Sequence, residues 1–172
     1  MSVLAPIQTG SLIAFAVMLL MAAWQDWRTM QIADRLSLGI VAAFALWAMA
    51  GLAGGTLSLV NLGLAMACAA GTFAFGTIAF ASGAMGGGDV KLAAAASLFA
   101  GPALMLDFVM VTALVGGVLG LATLAGAPIG PEARPVVAAG DSPVRARLRG
   151  SLPYGPAIAV GGLWVALSLA VT

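Results

Sequence analysis

Two carboxylates in this chain stand where chemistry can be done. Asp89 closes the run Gly86-Gly87-Gly88-Asp89 and is followed by Val90 and Lys91; Asp26 closes the first long apolar stretch. An ionisable group at the margin of a membrane segment is costly and marks a functional site. Two carboxylates held close together cannot both ionise cheaply, so one keeps its proton and the pair titrates as a unit. That state suits peptide hydrolysis. The ionised member takes a proton from water while the protonated member donates a hydrogen bond to the scissile carbonyl. Such a pair needs no cofactor, no metal and no covalent nucleophile. The chain contains no histidine, which removes Ser-His-Asp and Cys-His catalysis and any His-based metal site. Without a Cβ, Gly86, Gly87 and Gly88 let backbone come close to an extended substrate. A plain flexible turn before a helix would use the same residues.

The elements that must position these acids are membrane helices. Of 172 residues, 62% are hydrophobic and 8% charged, where a soluble domain carries about 25% charge. Composition and length imply an all-α, polytopic membrane helix bundle forming one unit over residues 1–172. No basic, aromatic-interleaved surface supports nucleic-acid binding. The single cysteine, Cys68, reads as a small buried hydrophobe. Crossing about 30 Å of hydrocarbon takes about 20 apolar residues. Six candidate spans lie near 6–25, 36–53, 58–81, 90–101, 103–125 and 154–171. The runs are too long for barrel strands and do not alternate. No basic residue precedes Arg28, so residues 6–25 read as a retained helix and not a cleaved signal. The fourth span would rise only about 18 Å. Gly101-Pro102 is either its end, with proline opening the next helix, or a bend within one helix.

Charge placement sets the orientation. Arg28 and Arg35 follow the first span, Lys91 opens the fourth, and Arg134, Arg145, Arg147 and Arg149 follow the fifth. All lie on one side, which the positive-inside rule makes cytoplasmic. The N-terminus and C-terminus are then both outside, and proline-rich residues 126–153 form a mobile cytoplasmic loop. Its arginines read as topology determinants that meet anionic lipid. Trp24, Trp27 and Tyr154 suit an interfacial belt. The spacings Gly51-x-x-x-Gly55 and Gly116-x-x-x-Gly120 suit helix packing. Glu132 and Asp141 belong to the solvated loop, and Asp107 to the outer interface. Asp26 comes after one crossing and Asp89 after three, so both sit at the same cytoplasmic depth. Topology allows them to pair; it does not by itself bring them close.

These residues resemble a known family. Gly86-Gly87-Gly88-Asp89 matches the Gly-x-Gly-Asp signature of intramembrane aspartyl proteases. With Val90-Lys91-Leu92 it resembles the form found in bacterial type IV prepilin peptidases of the A24 type. Asp26-Trp27-Arg28-Thr29-Met30-Gln31-Ile32 is similar to that family's first motif, and Pro153-Tyr154-Gly155-Pro156-Ala157-Ile158-Ala159 to its last-helix motif. The resemblance implies a six-helix aspartyl peptidase of the bacterial inner membrane, with Asp26 and Asp89 as catalytic pair. It would cut basic leaders from prepilins at the cytoplasmic face, usually after glycine. Gly86, Gly87, Gly88 and Lys91 would position substrate, with Lys91 facing the leader or lipid headgroups, or snorkelling. Where the family often has Pro-Asn, this chain has Ala33-Asp34. Asp34 is expected to cap the second helix, and it is also a rival to Asp26. The chain lacks the cysteine-bearing region of longer, methylating relatives and so resembles the peptidase-only branch serving Flp-type pili.

Two other readings fit the same residues. Intramembrane carboxylates also serve ion pathways, so a small transporter or channel component is the alternative, although it calls for charge deeper in the helices. Signal-peptide-peptidase-like proteases share the glycine-aspartate signature, but they present the other acid after tyrosine, where this chain has Gln25-Asp26.

Overall fold

A computed structural model describes residues 4–125, 127 and 153–171. Among them are five helices and no strand: α1 (Leu4–Thr29), α2 (Asp34–Gly54), α3 (Leu59–Ala81), α4 (Gly87–Leu124) and α5 (Gly155–Val171). Helices α1 to α4 are long and apolar enough to cross a membrane, and α5 is a shorter apolar helix. The all-α expectation therefore holds among the described residues, and four helices of this length and composition fit a membrane protein. The expected loop, with Glu132, Arg134, Asp141, Arg145, Arg147 and Arg149, lies outside the described residues apart from Ala127 and the buried Pro153.

Local signals end the helices where the sequence allows. Gly55, at φ 72°, takes the left-handed conformation that closes α2. Gly51, four residues before it, admits Leu57 and, from α1, Gln8. Ser58 caps α3 by accepting the Asn61 N–H at 3.1 Å. Asp34 does not cap α2: the capping position is Ala33, which has no side-chain acceptor. Cys68 is half-buried, because most of α3 faces outward.

The fourth and fifth expected spans are the two helical limbs of the 38-residue α4, which meet at Gly101, where φ is 51° and ψ is −165°; one helix ends there and the next opens with Pro102. A straight helix of that length would run about 57 Å, nearly twice the hydrocarbon thickness. Instead, α4 doubles back. Gly116 faces Tyr154 and Ala157, while Gly161 faces Thr112 and Phe108, so residues 102–124 run antiparallel to α5. In turn, Gly155 meets Asp26 and Gly162 meets Leu19 and Phe15, so α5 runs antiparallel to α1. The second limb of α4 thus returns toward the end of the molecule where the first limb begins.

Helix α1 packs on α2 and α5, and α4 packs on α2, α3 and α5. Phe15 stacks on Phe99 at 4.2 Å, and Phe44 meets Phe99 edge-on at 5.3 Å. In lipid, helices associate through close packing rather than through apolar burial. Small residues supply it here: a Cβ on Gly76 would lie 2.7 Å from Val90. Trp24 and Trp27 are exposed, as a belt requires, and Arg28 lies over the Trp24 ring at 4.7 Å. Tyr154 differs: it is half-buried and packs against the core.

Candidate active site

On α1 the buried positions Phe15, Leu19, Ala22 and Asp26 recur every three or four residues. This is one face of a helix, and Asp26 is its last member. The carboxylate therefore points into the bundle, at 4% exposure. On α4, Asp89, Leu92, Ala96 and Phe99 form a similar inward face, and Asp89 is 7% exposed. Both acids line one cavity of about 350 Å³ together with Met30, Gln31, Ile32, Gly86, Gly87 and Gly88.

Gly86 caps α4 and Asp89 stands three residues on, with its side chain folded back over Gly86, where a Cβ would lie 2.8 Å from the Asp89 Oδ2. The Asp89 Oδ1 is buried and has no hydrogen-bond partner among the described residues. Asp26 is held from far along the chain: its Oδ2 accepts the Gly155 N–H at 2.8 Å. The α1–α2 turn supplies another side of the cavity. Met30 adopts a left-handed φ of 53°, and the Gln25 Oε1 accepts the Ala33 N–H at 3.2 Å. That turn lays Ile32 against Gly88.

The glycine run has intramolecular reasons. A Cβ on Gly86 would lie 2.8 Å from the Asp89 Oδ2, and one on Gly88 would lie 3.1 Å from the Ile32 Cβ. A Cβ on Gly87 would meet only the Phe80 ring, at 3.5 Å. None of the three has a positive φ.

Lys91 and Asp34 are brought together elsewhere. The Lys91 Nζ donates to both Asp34 oxygens at 2.8 Å. The pair borders an apolar groove of about 470 Å³ between α2, α3 and α4, not the cavity that holds Asp26 and Asp89. Asp107 is exposed on the second limb of α4. Among the described residues no three His, Cys, Asp or Glu side chains cluster as a metal site would require.

Sequence reasoning gave no role to Gly155 or to the turn residues Met30 and Gln31. A glycine opening the last helix was visible, but nothing in its spacing points to Asp26.

The family model described as the type IV leader peptidase family matches residues 13–121. No curated protein and no solved structure matches the chain.

Proposed function

The chain belongs to the type IV leader peptidase family, and from that premise we propose that it is a membrane aspartyl endopeptidase acting on Flp-type prepilins, with Asp26 and Asp89 as its catalytic pair. What carries this assignment is that two buried carboxylates from helices far apart in sequence line one cavity.

One carboxylate removes a proton from water as its oxygen attacks the leader-junction carbonyl. The other, protonated, hydrogen-bonds that carbonyl and then delivers its proton to the departing nitrogen. The C–O bond forms, the C–N bond breaks, and the pair recovers its shared proton. The unpartnered Asp89 Oδ1 leaves an atom free to meet water or carbonyl.

The bundle crosses the bacterial inner membrane six times, the two limbs of α4 counting separately, with both ends outside and the cavity at the cytoplasmic face. Arg28, Arg35 and Lys91 lie near that end, as the positive-inside rule requires. The prepilin enters laterally, its apolar helix in the bilayer and its leader at the level of the carboxylates.

Co-expression with a candidate Flp-type prepilin tests this. Wild type should shorten the prepilin, with N-terminal sequencing placing the cut at the leader junction. Asp26→Asn and Asp89→Asn should each insert normally and lose cleavage by roughly 10³-fold or more. Cleavage surviving in either variant would remove that residue from the pair.

A further inference from the structure

The two carboxylates are held in unequal ways. Asp89 lies folded over Gly86, three residues back on the same helix start. Its placement is intact whenever α4 is formed. Asp26 takes its amide from Gly155, which is 129 residues away at the start of α5. Its hold exists only when α5 is seated against α1.

The fit at that junction leaves no slack. A Cβ on Gly155 would stand 2.7 Å from the Asp26 Cβ and 2.8 Å from its Oδ2. Side-chain Cβ atoms do not tolerate such distances, and the atoms met include Asp26 itself rather than the tip of a long side chain. Gly155 is buried, and its neighbours Ala157 and Ile158 are fully enclosed. An amide at a helix start also carries the positive end of the helix dipole toward the carboxylate. Helix α5 continues along α1, with Gly162 against Leu19 and Phe15, so the whole helix sets where that amide lies.

We propose that Gly155 is a positioning residue: its N–H and its missing Cβ together fix the Asp26 carboxylate against Asp89, so the seating of α5 on α1 decides whether the pair is aligned. This rests on the peptidase assignment above. Substrate need not touch Gly155. The effect runs through Asp26, and a misplacement of about 1 Å in a catalytic group can cost about 10²-fold in rate.

Two variants of the full chain, assayed in liposomes on a purified Flp-type prepilin, separate positioning from packing. Gly155→Ala keeps the N–H and adds the colliding Cβ. An amide-to-ester replacement at residue 155 deletes the N–H and adds no atom beyond the backbone, so it preserves the fold if the alanine variant does not. Each should lower kcat about 10- to 100-fold and leave KM within about twofold, because the leader still binds. Gly116→Ala, whose Cβ would meet Ala157 and Tyr154 at ordinary contact distances of 3.7 Å and 3.8 Å, should retain near-normal rates. The proposal is overturned if the ester variant keeps kcat within twofold of wild type. It is equally overturned if kcat falls only in step with the fraction of inserted protein. Loss of cleavage in Asp26→Asn alongside a fully active ester variant would sink this inference alone. Full activity in Asp26→Asn would sink the peptidase pair itself.

Discussion

The Lys91 ammonium bridges both oxygens of Asp34 at 2.8 Å, tying the first turn of α2 to the first turn of α4. The two side chains are 48% and 63% exposed, so the bridge is a partly screened tie. It also occupies the one carboxylate in the α1–α2 region that could have competed with Asp26.

Asp34→Asn should therefore leave leader cleavage within about fivefold of wild type. An exposed pair contributes about 0–1 kcal/mol, and Lys91→Met should cost the same small amount in a detergent melt. A dead Asp34→Asn beside an active Asp26→Asn would transfer the catalytic role between them.

The three glycines before Asp89 should not respond alike. Gly86→Ala pushes a methyl group to 2.8 Å from the Asp89 carboxylate, and cleavage should fall by about 10-fold or more through misplacement of that group. Gly88→Ala presses on Ile32 at 3.1 Å and should cost less, since the turn can shift. Gly87→Ala meets only the Phe80 ring at 3.5 Å and should be nearly silent. Initial rates of leader cleavage for the three variants give the ranking. Equal losses at all three would mean that substrate backbone, and not Asp89, is what the glycines accommodate.

Gly101→Ala should destabilise the protein without touching the cavity. There is room for a methyl group, with only Ala65 near at 3.8 Å. The backbone forbids it: φ 51° with ψ −165° lies in a region that essentially only glycine occupies, at a cost of order 1–3 kcal/mol for other residues. The measurement is the melting midpoint in detergent, with the specific activity of the surviving fraction unchanged.

Much of this was legible in the sequence because helices write their geometry into periodicity. The apolar runs located the helices, and the order of those helices allowed Asp26 and Asp89 to meet, as their shared cavity shows they do. The inward face Phe15, Leu19, Ala22, Asp26 could have been read from spacing alone. Gly101-Pro102 announced a break, but only the dihedral angles distinguish a helix end from a bend within one helix. Contacts between distant segments have no such signature. The Lys91–Asp34 bridge and the Gly155 amide on Asp26 join residues 57 and 129 positions apart. Neither is implied by anything local. Asp34 looked like a cap because aspartate at a helix start commonly is one; a lysine on a neighbouring helix claims it instead.

The reversal at Gly101 has a consequence for what surrounds Asp89. Residues 87–100 rise about 21 Å, well short of a bilayer core of about 30 Å, yet Lys91 alone among them is exposed. The short limb is sheathed by its neighbouring helices, so its length does not have to match the thickness of a bilayer.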